Sequence, residues 1–140
     1  MREIRFKAKA VKTKKLVEGL YAIIYETITG DEGEPVGFRQ YPSIYVIDEP
    51  WRPDGGQWVE IYPQTLCQMT NMTDVNGITI WENDRVKVSV IGRPDKNFEG
   101  DVVWMETCFG IEDETGSTSS ISELRVHFQL EVIGNKFDNL

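Results

Sequence analysis

The sequence predicts an all-β protein, with a small SH3-like barrel in its C-terminal half and an N-terminal β module. Several short segments alternate apolar and polar residues at the period of a β-strand. Asn76-Gly77 suits a type I′ hairpin turn, because both central positions of that turn need a positive φ. Asn83-Asp84 then separates two apolar segments, residues 78–81 and 86–88. This pattern predicts a second tight turn, with Asn83 in the left-handed conformation.

Charge is distributed unevenly along the chain. Residues 1–15 hold seven Lys or Arg and one Glu, a net charge of +6, whereas residues 16–140 hold eight basic and 22 acidic residues, a net charge of −14. An acidic body repels nucleic-acid phosphates. Non-specific nucleic-acid binding is therefore disfavoured everywhere except in the N-terminal segment.

The N-terminal segment itself alternates at the period of a strand. Its apolar residues, Ile4, Phe6, Ala8 and Ala10, are predicted to face inward. Its basic residues are predicted to face solvent and are candidate interaction residues: Arg5, Lys7 and Lys9. Two interpretations stay open, a solvated edge that discourages aggregation and an electrostatic contact with the acidic body of another copy.

Two further strands are predicted in the N-terminal half. Residues 20–29 are rich in β-branched and aromatic residues, and residues 43–48 have a similar character. Residues 30–35 form a loop between them, with two glycines, a proline and three carboxylates. The carboxylates lack the spacing of an EF-hand, so a solvated acidic turn is favoured over a calcium site.

A loop with two prolines and two glycines follows at residues 49–56. It carries Trp51 and Arg52, which are either a binding anchor or, for the tryptophan, a cap on the core. Residues 58–62 alternate as another strand, and residues 63–67 are the most plausible hinge. The predicted domains are therefore residues 1–66 and 67–140.

The C-terminal half is predicted to contain two Asp-bearing turns. Gly100-Asp101 resembles Asn83-Asp84, and each carboxylate would accept backbone N–H groups that its turn leaves open. That role explains both carboxylates without an acid–base pair. Residues 86–91, 99–105 and 126–133 are predicted strands, and residues 120–123 a single helical turn. In the last strand the inward positions are Val126, Phe128, Leu130 and Val132, and His127 faces outward.

Motifs for catalysis or metal binding are missing from the sequence. Cys67 and Cys108 lack CxxC spacing, so reduced thiols are expected. His127 is the single histidine and has no partner at ligand spacing. Phosphate-binding loops, nucleophile elbows and zinc signatures do not occur. We therefore predict no catalytic, cofactor or metal residues and no enzymatic activity. Without a signal peptide or an apolar span, a cytoplasmic location without membrane association is expected.

Four segments in order resemble the YopX family of phage and prophage proteins: MREIRFKAK, QMTNMTDVNGITIWENDRVKV, EGDVVWMETCFGIED and LEVIGNKFDN. Asn83 stands where that family has glycine, a change that preserves the left-handed turn. Residues 17–58 depart most from the family pattern. The resemblance implies a mainly β phage or prophage protein that self-associates, with no catalytic residues to transfer.

The leading functional hypothesis is a non-enzymatic accessory protein that binds protein, as a homo-oligomer or with a phage or host partner. The alternatives are single-stranded nucleic-acid binding through the basic strand and aromatic residues, mimicry of DNA by the acidic body, and an enzyme whose motif is not recognised.

Overall fold

The structure, a computed structural model, describes residues 3–47 and 55–138, without the side chains of residues 125–127. Its described residues form eleven antiparallel β-strands, one α-helix and two short 3-10 turns, which confirms the predicted all-β class. The chain divides into two compact units: an N-terminal unit of Ile4–Cys67, and a C-terminal unit that runs from Gln68 onward and also includes Glu3. The division into domains of residues 1–66 and 67–140 stays a prediction.

The N-terminal unit is built on a long β-hairpin. Its strands are β1 (Phe6–Lys9), β2 (Leu16–Thr29), β3 (Pro35–Ile47) and β4 (Gly56–Glu60), in the antiparallel order β4-β3-β2-β1. Strand β3 begins well before its predicted bound, because it pairs with β2 up to the turn at Gly30, and β2 begins four residues early, where it pairs with β1. The Gly30 N–H donates to the Glu34 carbonyl at 2.7 Å, and Gly33 takes the positive φ that the turn requires.

One face of this sheet forms a small core. Ala8, Ile44 and Ile61 are buried there, with five half-buried side chains packed around them: Phe6, Val17, Tyr21, Val46 and Leu66. Ala8 and Ala10 are inward-facing, as predicted. Ile4 is instead exposed because it precedes the paired segment of β1. The predicted solvated position of Lys9 is wrong, since this residue is only 7% exposed.

The C-terminal unit contains the remaining strands and the helix. They are β5 (Cys67–Thr73), β6 (Thr79–Trp81), β7 (Asp84–Val90), β8 (Phe98–Trp104), β9 (Phe109–Glu112), β10 (Thr118–Ser120), α1 (Ile121–His127) and β11 (Phe128–Asn135). One 3-10 turn, Pro94–Lys96, lies in this unit, and the other, Pro63–Thr65, lies in the N-terminal unit. Strands β5 and β6 form a hairpin, and five strands form a sheet in the order β10-β9-β8-β7-β11. In the described residues that sheet is open, so the SH3-like barrel is not confirmed.

The core of the C-terminal unit lies on one face of the five-stranded sheet. It comprises Ile80, Val86, Val88, Val102, Phe109, Ile111, Ile121, Leu124 and Leu130. Phe128 and Val132 pack against it, which confirms their predicted inward orientation. Residues 126 and 127 do not begin the last strand, because α1 continues through His127. The prediction that His127 belongs to a strand is therefore wrong, and its side chain lies outside the described part.

The predicted turns are confirmed only in part. Asn83 adopts φ 68°, as predicted. The reversal near Asn76-Gly77 also exists, but only Gly77 has a positive φ, so the type I′ assignment is wrong. Asp74 closes that turn instead, with its N–H donating to the Ile78 carbonyl at 2.8 Å. Gly100 and Asp101 lie inside β8, so the second predicted turn is also wrong.

Candidate interaction surface

The β2–β3 hairpin extends beyond the strands that flank it. Strand β1 pairs with β2 only as far as Gly19, and β4 pairs with β3 only from Ser43 onward. We call residues 20–42 the arm. Within the described part of the chain, the strands of the arm pair with each other alone along most of their length. A two-stranded ribbon of this kind is marginally stable in water unless something packs against it.

One face of the arm continues the core face of the N-terminal unit. Paired residues of antiparallel strands share a face, so the buried Ile44 and its partner Tyr21 lie on the same face as residues farther along the ribbon. There Ile23 is 47% exposed, Tyr25 68% and Phe38 77%. We call these three residues the arm face. The apolar face of the ribbon is therefore buried in the core near Ile44 and exposed to solvent farther along the arm.

On the opposite face of the arm, Arg39 forms ion pairs with two glutamates. Both terminal oxygens of Glu60 accept hydrogen bonds from Arg39 Nη2, at 2.7 and 2.8 Å. Arg39 Nη1 also lies 3.8 Å from Glu26, and its guanidinium lies 4.7 Å from the Tyr41 ring centre. The hydrogen bond with Glu60 raises the pKa of Arg39 further above its ordinary value, so the guanidinium stays charged. These contacts link the arm to the strand segment at its base.

A groove of about 480 Å³ lies on that opposite face. Its lining combines the ion-paired residues of the arm with Lys12 and Thr13 from the turn after β1 and with Trp58 from β4. The Trp58 ring lies 5.1 Å from the Tyr45 ring and remains partly exposed. The volume falls within the range of pockets that accept small ligands or protruding side chains.

Of the residues predicted for interaction from the sequence, Arg5, Lys7 and Lys9 do not line this groove. Arg5 is exposed and Lys7 half-buried. Lys9 is buried because the segment after β4 packs beside β1: its N–H donates to Thr65 Oγ1 at 2.9 Å, and its carbonyl accepts from the Tyr62 N–H at 3.0 Å. Trp51 and Arg52 lie outside the described residues. The sequence did carry a signal for the arm, since apolar residues at both odd and even positions of β2 are typical of a strand with two apolar faces.

Two carboxylates are buried in the C-terminal unit, and both organise turns. Asp84 Oδ2 accepts the Trp81 N–H at 2.7 Å, and its Oδ1 accepts Asn135 Nδ2 at 2.9 Å, which confirms the predicted backbone-accepting role. Asp101, by contrast, contacts Arg85 at 3.3 Å. These partners give Asp84 and the more exposed Asp101 structural roles.

Asp74 is the second buried carboxylate. Its burial acts to raise its pKa, but hydrogen bonds from the backbone N–H groups of Val132, Ile78 and Asn76 outweigh that effect and lower the pKa. A carboxylate held in this way is charged at neutral pH and has its acceptor positions occupied. This arrangement suits a structural role better than proton transfer.

Among the described side chains, which do not include that of His127, no group of three or more His, Cys, Asp or Glu is arranged to hold a metal ion. Cys67 is buried and Cys108 half-buried, and both are free thiols. None of the described helices has the length and apolar character needed to cross a bilayer.

Comparison with known proteins finds similar solved structures and a protein family. A search of curated proteins found no match. The crystal structure of protein EF1440 from Enterococcus faecalis is 19% identical in sequence, over 99% of this chain and 96% of that chain, with a TM-score of 0.46. Residues 32–140, well over half of the chain, match the YopX protein family. The chain therefore belongs to the YopX family.

Proposed function

We propose that this protein is a non-enzymatic phage or prophage accessory protein that acts by binding protein, as a homo-oligomer in the cytoplasm of the bacterial host. The observation that carries the proposal is the arm face, where the core surface of the N-terminal unit continues into solvent through Ile23, Tyr25 and Phe38. Family membership and the absence of recognised catalytic motifs in the sequence support the same interpretation.

The physical argument is the hydrophobic effect. Complete burial of one large apolar side chain contributes about 1.5–3 kcal/mol. A partner that covers the three side chains of the arm face would therefore stabilise the complex by a few times that amount. The same partner would stabilise a ribbon that is marginal when its faces are wet. Protein binding therefore explains both the composition and the length of the arm.

The test is a pair of substitutions on the arm face, Tyr25→Ser with Phe38→Ser. We expect the wild-type protein to be oligomeric by light scattering coupled to gel filtration, and the double variant to shift towards the monomer mass. Ile91→Ser is the matched control, because Ile91 is also apolar and exposed but lies in the C-terminal unit. A monomeric wild type, or a double variant with the wild-type mass, would contradict the proposal, provided that circular dichroism shows a folded protein.

Single-stranded nucleic-acid binding is the second candidate. Lys12, Trp58 and Tyr41 all line the groove, and a cation together with stacking rings is the combination that such binding uses. Glu26 and Glu60 line the same groove and oppose phosphate, so we rank this candidate lower. A mobility-shift assay with single-stranded DNA separates the two candidates, and a salt-sensitive shift that Lys12→Glu removes would favour nucleic acid.

A further inference from the structure

We propose that the arm of one copy docks into the groove of a second copy, and that the tip carboxylates Asp31 and Glu32 of the first copy pair with Lys12 and Lys15 of the second. This inference rests on the proposed self-association and specifies how it is achieved. The arm face is covered in the same contact.

The tip of the arm is an ordered, charged turn. The Gly30 N–H donates to the Glu34 carbonyl, the Gly33 N–H donates back to the Gly30 carbonyl at 3.0 Å, and a side-chain oxygen of Glu34 accepts the Glu32 N–H at 3.0 Å. Glu34 is therefore used in shaping the turn. Asp31 and Glu32 are exposed and have no ion pair in the described part of the chain. Exposed Ile28 and Val36 flank the turn, so the tip is apolar beside its charges.

The turn that contributes Lys12 to the groove has the opposite charge. The groove itself, whose Glu26 and Glu60 are paired with Arg39, adds an apolar component. Lys12 lines the groove, and Lys15 follows it in the same turn, where its carbonyl accepts the Ala10 N–H at 2.9 Å. Both lysines are exposed, and neither has an ion pair among the residues described. Lys14 of this turn lies 4.3 Å from the Tyr62 ring centre and is already engaged. Trp58 supplies exposed apolar surface inside the groove.

The occupant is a second copy because the two complementary surfaces belong to one chain and cannot meet within it. Glu26 lines the groove together with Lys12, and the tip begins four residues later at Gly30. Four residues of extended strand span about 13 Å, whereas charges are screened beyond about 8 Å at physiological ionic strength. The two surfaces also differ in charge over longer segments: residues 4–15 carry six basic and no acidic residues, and residues 20–42 carry four acidic residues and one arginine.

A contact of this kind joins two different surfaces, so it is heterologous. Repeated from copy to copy, it generates a closed ring if the rotation closes and an open filament if it does not. Electrostatic complementarity fixes the register of such contacts and rejects wrong pairings. The tip and the turn at Lys12 therefore set the arrangement, and the arm face supplies the apolar area.

The test is a charge exchange. One variant carries Lys12→Glu with Lys15→Glu, and the other carries Asp31→Lys with Glu32→Lys. Each variant alone places like charges together, so we expect light scattering to show a shift from the oligomer to the monomer mass. In an equal mixture the tip of each variant can meet an oppositely charged turn of the other, so we expect oligomers to form again. A third variant with all four changes should associate by itself.

The control is Glu123→Lys with Glu131→Lys, which changes net charge by the same amount as the tip variant at exposed positions of the C-terminal unit. It should keep the wild-type mass. Variants that remain oligomeric alone, or a mixture that remains monomeric, would overturn the docking inference. If Tyr25→Ser with Phe38→Ser still produces monomers in that case, self-association through the arm face stands and only this pairing fails.

Discussion

Asp74 Oδ2 accepts a hydrogen bond from the backbone N–H of Val132 at 2.9 Å, across 58 positions of the sequence. The other oxygen, Oδ1, accepts the N–H groups of Asn76 and Ile78, each at 2.9 Å. One carboxylate thus closes the β5–β6 turn and attaches it to β11. Asp113 repeats the local part of this arrangement, accepting from Thr115 and Ser117.

Replacing Asp74 should therefore cost more than replacing its local counterpart. Asp74→Asn removes the charge and turns one acceptor into a donor, which leaves a buried N–H without its partner. We expect the free energy of unfolding to fall by about 1–3 kcal/mol, measured by urea denaturation. Asp113→Asn is the matched control and should cost less, because Asp113 makes only local contacts in its turn. Equal losses for the two variants would refute the long-range role of Asp74.

The same carboxylate predicts how stability depends on pH. Hydrogen bonds lower the pKa of Asp74 in the folded protein below the unfolded value, which is about 3.9. The resulting stabilisation is present above the unfolded pKa and is lost as the pH falls through the folded pKa. The difference in unfolding free energy between wild type and Asp74→Asn should thus narrow below about pH 4. A difference that stays constant down to pH 2 would show that the charge of Asp74 is not involved.

The left-handed conformation of Asn83 predicts opposite effects for two substitutions. Its φ of 68° is strained for a residue with a Cβ and no polar side chain. Asn83→Ala should lower the unfolding free energy by about 1 kcal/mol, whereas Asn83→Gly should be neutral or stabilising. Thermal and urea denaturation of both variants provide the measurement. Asn71, at φ 65°, offers a second position for the same comparison, and equal stability of the Ala and Gly variants at both sites would count against the argument.

Gly100 is required by the close approach of two strands. A Cβ at this position would lie 2.6 Å from the Glu112 carbonyl oxygen and 2.6 Å from Ile111 Cγ2. Gly100→Ala should therefore lower the unfolding free energy by about 1–3 kcal/mol. Gly37→Ala is the control, because nothing lies within 4 Å of its Cβ position and its φ is not in the left-handed region. If both variants lose the same stability, the steric explanation is wrong.

Local signals in the sequence predicted part of this structure. Asn83 and Asp84 were interpreted correctly because a left-handed φ and a backbone-accepting carboxylate depend on neighbouring residues. The Gly100-Asp101 pair has the same local pattern, but it lies within β8 because pairing with β7 and β9 overrides turn preference. Strands β9 and β10 were not predicted, since four and three residues give too little periodicity.

The candidate surface was harder to predict than the fold. Alternation assigns Tyr25 and Phe38 to a face of a strand, but it does not say whether another element covers that face. Coverage depends on where pairing with β1 and β4 ends, at Gly19 of β2 and Ser43 of β3, and tertiary structure sets those limits. The predicted exposure of Lys9 was wrong for the same reason, because its burial depends on the segment around Thr65, more than fifty positions away.

The position of β11 also determines when the C-terminal unit can fold during synthesis. Strand β7 lies between β8 and β11, and β11 supplies partners for Asp74 and Asp84 through Val132 and Asn135. Until the ribosome has released β11, both carboxylates lack these partners and one edge of β7 has no neighbour. Pairing across such separations slows folding and leaves a nascent chain open to aggregation. Translation that stops before residue 128 would therefore yield a chain whose C-terminal unit does not fold and which is bound by chaperones or degraded by proteases.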